Sequence, residues 1–133
     1  MAFAIDMPAA ARRHLLAADT LVQGPRRDVA GYLYGIAAEC AIKAMMIDAG
    51  LRPSAGSPRR EDPFLAHFPE LRTMLRDALW RRRGTPLISF IQSDSFLQQW
   101  SIRMRYSHGK DIEERWITAW AQQAHQAVAS IGT

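Results

Sequence analysis

The feature that most constrains the fold is a long helical pattern of small apolar residues over residues 28–49. Its apolar positions recur three and four residues apart, which is the spacing of one face of an α-helix. Gly50 follows as a natural helix stop. The small side chains on this face let a neighbouring helix approach closely, so the pattern predicts the central helix of a bundle. The face consists of Ala30, Leu33, Ala37, Cys40, Ala44 and Ile47.

Helical spacing continues through most of the chain and predicts an all-α, four- to five-helix bundle of up-and-down topology. Asp6 is expected to cap the first helix, and Asp111 with Glu114 forms a capping-box-like start for the last. Apolar residues from Phe96 onward also recur at helical spacing, so a helix ending at His108 is expected before that start. The other expected helices span residues 8–22, 69–82 and 87–92, and a strand over 87–91 is the alternative to the last of these.

Composition favours one soluble domain. At 133 residues the chain can bury roughly two-thirds of its unfolded surface, so residues 1–133 are expected to form a single domain. No apolar run approaches the ~20 residues of a membrane span, and residues 1–11 lack the pattern of a secretory signal. A cytoplasmic protein without membrane attachment is therefore expected. The single cysteine, Cys40, excludes an internal disulfide.

The charge of the chain is compatible with nucleic-acid binding. The net charge is +4, and 15 of the 17 basic residues are arginine. A planar guanidinium binds two phosphate oxygens at once, although GC-rich codon usage enriches arginine as well. The sequence has no phosphate-binding glycine loop and no H-E-x-x-H motif, and its histidines lack metal-ligand spacing. No metal and no cofactor are therefore expected.

Two polar pairs carry the chemistry that this sequence offers. Arg103 and His108 precede the last helix, where an imidazole can move a proton and a guanidinium can hold a phosphate without a metal. A surface arginine followed by a histidine at a helix end is the other interpretation of this spacing. Glu39 and Lys43 form an i,i+4 pair in the favourable order. They lie at the edge of the apolar face, so they are expected to be solvated there or used against another surface.

These stretches together resemble the HEPN family of small helical domains. Residues 30–44, which include Glu39 and Lys43, are similar to the second helix of HEPN proteins. Residues 100–108 match the family's R-x4-6-H element, which precedes the final helix. Helix number and order also agree, so the resemblance covers most of the chain. It implies an all-α bundle that pairs as a symmetric homodimer.

The resemblance also implies an activity, because active HEPN members are metal-independent endoribonucleases with one composite site across the dimer axis. His108 would then act as general base or acid at the RNA 2′-hydroxyl, and Arg103 would hold the scissile phosphate. The products would carry a 2′,3′-cyclic phosphate. Glu39 and Lys43 would orient and tune this pair, and the protein would belong to a toxin–antitoxin or defence system.

A second reading follows from Arg105 and Tyr106, which resemble a HEPN subgroup with a W…RY signature in which the histidine is often missing. Met104 also departs from active toxin-type members, which often carry a small polar residue after the arginine. In this reading Arg105 and Tyr106 bind substrate, and the chain is a non-catalytic module for nucleotide, RNA or a partner protein. A nucleotidyltransferase-type antitoxin is the partner that the resemblance suggests.

Overall fold

The computed structural model describes residues 3–52, 62–79 and 86–133. These ranges contain helices and connections but no strand, which confirms the all-α bundle. Two short 3-10 helices, Pro63–Leu65 and Ile102–Tyr106, lie in the connections. The α-helices are α1 (Met7–Leu21), α2 (Arg27–Asp48), α3 (Glu70–Leu79), α4 (Pro86–Gln92) and α5 (Glu114–Ala129).

Helix α1 begins as the sequence predicts. The Asp6 side chain accepts a hydrogen bond from the backbone N–H of Ala9 at 3.0 Å, and Pro8 lies in the first turn. A short connection leads from α1 into α2, and the Tyr34 hydroxyl of α2 donates to Asp19 of α1 at 2.6 Å. This bond ties the two helices together as neighbours.

Helix α2 is the centre of the bundle and packs against both α1 and α5. Arg27 at its start forms an ion pair with Glu114 at 2.8 Å, and Gly31 one turn later lies against Ile117. Contacts therefore advance along both helices in the same direction, so α5 runs parallel to α2. The long connection between them carries α3 and α4.

A glycine on α2 creates the closest packing in the core. A Cβ atom at Gly35 would lie 1.9 Å from Nε1 of Trp100, so no other residue fits there without a shift. The indole N–H of Trp100 donates to the backbone carbonyl of Tyr32 at 3.2 Å. The rings of Tyr32 and Trp100 also stack, with centroids 6.0 Å apart. The segment before the second 3-10 helix is thereby held against α2.

The prediction of a helix that ends at His108 is wrong. Residues 94–99 form turns instead, and the 3-10 helix Ile102–Tyr106 ends two residues before the histidine. Leu97 and Gln99 adopt φ values of 54° and 72°, which interrupt a right-handed helix. The side chain of Gln123 in α5 accepts from the Leu97 N–H at 2.9 Å, which anchors the turns.

Other helix boundaries also differ from those predicted. Helix α5 begins at Glu114 with Glu113 as its N-cap residue, so the capping box predicted at Asp111 is wrong. Residues 87–91 lie within α4, which excludes the strand alternative. The end of the predicted third helix, at residue 82, lies outside the described residues.

Helix α2 is also the one described helix that is long and apolar enough to cross a membrane. The expectation that no apolar stretch of the chain is long enough to span a membrane was therefore wrong by the criteria of length and composition. However, 72% of its apolar window is buried inside the bundle, with α1 and α5 packed against it. Such burial is typical of the core helix of a soluble protein.

We expect Gly35→Ala to lower the free energy of unfolding by about 2 kcal/mol, because the added methyl group overpacks the Trp100 contact. This sign is unusual, since glycine to alanine inside a helix normally stabilises by about 1 kcal/mol. Gly31→Ala is the matched control, because its Cβ would meet the side chain of Ile117 at 3.0 Å, which can shift. Urea unfolding measures both variants, and a Gly35→Ala protein as stable as wild type would contradict the packing argument.

Candidate functional site

The candidate site lies on residues 101–112, between α4 and α5, which we call the exposed segment. Ser101 caps the 3-10 helix here, because its hydroxyl accepts from the Arg103 N–H at 3.2 Å. Ser107 is extended and ends the helix, and its hydroxyl accepts from the Gly109 N–H at 3.2 Å. Local hydrogen bonds thus shape the segment, while Trp100 just before it is buried in the core.

The two arginines of this segment differ in how they are held. The Arg103 guanidinium is exposed and forms no hydrogen bond or ion pair with any residue that the structure describes. The Arg105 guanidinium lies 5.0 Å over the ring of Tyr106. Hydrogen bonding to Tyr32 and then to Tyr106 raises the pKa of Arg105. Arg103 is therefore available to an anion, whereas Arg105 lies against the ring of Tyr106.

His108 is exposed, with 62% of its side chain accessible. Its Nδ1 atom accepts a hydrogen bond from the Lys110 N–H at 3.0 Å, so the lone pair of Nδ1 is occupied. In the neutral imidazole the proton then resides on Nε2. Nε2 lies 3.9 Å from the nearest carboxylate oxygen of Asp111 and is otherwise directed to solvent. This tautomer makes Nε2 of His108 a hydrogen-bond donor without a lone pair, so the ring acts as an acid only once Nδ1 is protonated as well.

Glu39 and Lys43 are interior residues. Of the two expectations for them, solvation at a rim is wrong and use against another surface is confirmed. They are 3% and 5% exposed, and Lys43 Nζ lies 3.5 Å from Glu39 Oε2. Glu39 also accepts from the Phe68 N–H at 2.9 Å and from His67 Nδ1 at 2.8 Å. The carboxylate therefore fastens the start of α3 to α2. Sequence spacing gave no signal for this contact, because its partners are 28 and 29 residues away along the chain.

The two polar pairs do not meet within one chain. No hydrogen bond or ion pair among the described residues links Glu39 or Lys43 to Arg103 or His108. The exposed segment comes nearest to this side of α2 at Tyr32. Glu39 lies seven residues further along the helix, which is about 10 Å at a rise of 1.5 Å per residue. The structure brings Arg105 and Tyr106 together and leaves Glu39 and Lys43 in the core.

A cleft of about 330 Å³ opens between the start of α2 and the exposed segment. Gly109 allows its walls to close, because it adopts φ 85° and a Cβ there would lie 2.1 Å from Asp28 Oδ2. The sequence analysis did not identify Asp28 and Tyr32 as site residues. Gly109, directly after His108, was the residue in the sequence that could have indicated a close contact here. The cleft is lined by Arg26, Asp28, Val29, Tyr32, Met104, Arg105, Ser107, Gly109 and Ile112.

The remaining candidate chemistry is restricted. Burial, reinforced by the adjacent Glu39 carboxylate, raises the pKa of the Cys40 thiol to about 11. A thiol of this kind is protonated at neutral pH and is a poor nucleophile. Among the described residues, no group of three or more histidine, cysteine or acidic side chains is arranged to hold a metal ion.

Comparison with known proteins adds no relative. No protein-family model matches the chain, and no curated protein or solved structure is significantly similar to it. The molecule is therefore a small helical-bundle protein that presents an arginine–histidine surface beside a cleft.

Removing the Glu39 carboxylate should destabilise the protein strongly. Glu39→Ala leaves Lys43 buried without its partner and the Phe68 N–H unsatisfied, and breaking a buried pair in this way costs about 3–5 kcal/mol. Glu39→Gln keeps an acceptor and should cost less. Urea unfolding with Glu70→Ala as the exposed control checks this; a Glu39→Ala cost below that of the control would contradict it.

The raised pKa of Cys40 predicts slow modification of this thiol in the folded protein. At pH 8 the thiolate fraction should be more than about a hundredfold below that of a free cysteine, and the rate should rise as the pH approaches 11. Reaction with a disulfide reagent, followed by absorbance in buffer and in urea, measures both rates. Equal rates folded and unfolded would show that Cys40 is not protected.

Proposed function

We propose that this chain is a metal-independent endoribonuclease of the HEPN type that acts as a symmetric homodimer in a cytoplasmic toxin–antitoxin or defence system. One observation carries the proposal. The guanidinium of Arg103, which has no hydrogen bond or ion pair among the described residues, and the Nε2–H donor of His108 are exposed on the same short segment. A guanidinium that holds the phosphate and an imidazole that transfers a proton are two of the groups that phosphodiester cleavage without a metal uses, and a base for the 2′-hydroxyl is the third.

In the proposed reaction the RNA 2′-hydroxyl attacks the adjacent phosphorus, and the bond from phosphorus to the 5′-oxygen breaks. Arg103 binds the non-bridging oxygens and stabilises their developing charge. His108, first protonated at Nδ1 as well and so released from the Lys110 N–H, gives its Nε2 proton to the departing 5′-oxygen; this leaves a neutral imidazole, a 2′,3′-cyclic phosphate and a 5′-hydroxyl. Arg105 and Tyr106 bind the chain beside the scissile bond. Glu39 and Lys43, which are buried, act on this site only through the position of α2.

The same geometry supports the dimer. The proton of the 2′-hydroxyl needs a base, and an imidazole whose Nδ1 is occupied and whose Nε2 is protonated cannot accept it. A second copy of the chain supplies another imidazole, which takes the base's part when it is in the other tautomer. One chain thus provides the acid, and two chains provide acid and base.

His108→Ala should reduce cleavage of single-stranded RNA in EDTA by a factor of about 100 or more, because general acid–base catalysis typically contributes 10²–10⁴-fold. Arg103→Ala should reduce cleavage similarly through lost charge stabilisation. His14→Ala, a histidine of α1 bonded to the Ala10 carbonyl, and Arg12→Ala, an exposed arginine of α1, are the matched controls. Gel analysis of labelled RNA, with the product end identified as cyclic phosphate, reads out the activity. Cleavage that is unchanged in His108→Ala would end the catalytic proposal.

The second candidate is a non-catalytic HEPN module, and the position of Arg105 favours it. Its guanidinium lies over the Tyr106 ring at the wall of a cleft, an arrangement suited to binding rather than to proton transfer. Such a module would bind RNA, nucleotide or a protein partner of the nucleotidyltransferase-type antitoxin class. RNA binding that is lost in Arg105→Ala, with no cleavage by the wild-type protein, would favour this function.

A further inference from the structure

The cleft between α2 and the exposed segment has walls of two kinds. Val29, Met104 and Ile112 give it apolar sides, and Tyr32 contributes an aromatic ring that is partly exposed. Arg105 lies in the same wall. A volume of about 330 Å³ is at the small end of the range for ligand sites, which suits a single planar group of nucleobase size.

The polar groups of the cleft form one adjacent donor and acceptor. Arg26 contacts Asp28 through one guanidinium nitrogen at 2.5 Å from Oδ2. The second carboxylate oxygen, Oδ1, has no hydrogen bond from the described residues, and the remaining N–H groups of Arg26 are equally uncommitted. The backbone of Gly109 lies close beside the Asp28 carboxylate, since a Cβ there would be 2.1 Å from Oδ2. The pair therefore presents acceptor lone pairs next to free donors at the same edge of the cleft.

We propose that this cleft binds one guanine base of single-stranded RNA. The Asp28 carboxylate accepts from N1–H and the N2 amino group, and Arg26 donates to O6. Arg105 contacts the neighbouring phosphate or the face of the base. Proteins commonly recognise single-stranded RNA through the Watson–Crick edges of splayed bases and through stacking on aromatic or arginine side chains. The inference rests on the proposed function, since it requires that the chain bind RNA.

Guanine fits this pair better than the other bases because of the order of hydrogen-bond donors and acceptors along its Watson–Crick edge. Its Watson–Crick edge carries an acceptor followed by two adjacent donors, which matches one guanidinium beside one carboxylate. Adenine offers a single amino donor beside an acceptor, and cytosine offers one donor beside two acceptors. Uracil has a single N–H between two acceptors. Each of these leaves a carboxylate lone pair or an arginine donor without its partner, which disfavours binding.

Binding of short labelled RNAs to the full-length His108→Ala protein tests the inference without cleavage. The probes are heptamers of uridine whose central position is guanosine, inosine, adenosine or cytidine. Fluorescence anisotropy should show the guanosine heptamer binding about 10-fold more tightly than the adenosine heptamer, the discrimination typical of a good bidentate contact. Inosine, which keeps N1–H and O6 but lacks the N2 amino group, should fall between them.

Asp28→Asn in the same background should abolish the preference while leaving general RNA binding in place. Arg26→Ala, which removes the O6 donor, should reduce the preference for guanosine. Asp77→Asn, which alters an exposed carboxylate of α3, is the matched control. Thermal unfolding establishes that each variant is folded. Equal affinity for all heptamers, or a preference that survives Asp28→Asn, would overturn the guanine site while RNA binding stands. Failure of every heptamer to bind would instead overturn the proposed function, and this inference with it.

Discussion

The contact of Trp100 with the bare backbone at Gly35 is the constraint on which the candidate site depends. The indole can lie there only because residue 35 has no side chain, and its N–H is satisfied by the Tyr32 carbonyl. Ser101 follows at once and caps the 3-10 helix that presents Arg103. Tyr32 also lines the cleft that Arg105 borders. A single turn of α2 therefore fixes the start of the exposed segment and forms one side of the cleft, which is the rigidity that a binding site on a connection needs.

The other half of α2 has an electrostatic task. Glu39 lies in the core with an ammonium, an imidazole and a backbone N–H around it, so the burial of its charge is compensated by several partners at once. Replacing the whole cluster by apolar residues would change the free energy of unfolding little, whereas removing one member of the cluster lowers it strongly. The E-x3-K pattern of α2 thus fastens α3 to α2, whatever chemistry the exposed segment performs.

The sequence specified the long helices well and the connections poorly, for a physical reason. Helices α1 and α2 follow from apolar periodicity and, for α1, from the Asp6 cap, which are local signals that tertiary contacts did not override. The segment from Phe96 also has helical spacing, but Leu97 adopts a left-handed conformation whose N–H is satisfied by Gln123 of α5. That contact spans 26 residues and leaves no local trace. The partners of Glu39 were hidden in the same way, whereas the pair of Arg103 and His108 was predicted from local spacing, and its catalytic role stays a prediction.

One glycine links the chemistry of His108 to the shape of the cleft. With φ at 85°, Gly109 turns the chain so that the Lys110 N–H points back at Nδ1 of the imidazole, and the same bend brings its backbone against Asp28. The tautomer of His108 and the position of the cleft wall are therefore set together. Because that tautomer has a proton and no lone pair at Nε2, an imidazole in this setting donates a hydrogen bond, as to a phosphate oxygen, and becomes an acid only when Nδ1 is protonated as well. The proposed mechanism therefore needs a base from an imidazole whose segment is arranged differently, and in the proposed symmetric dimer this requires that RNA binding make the two copies unequal.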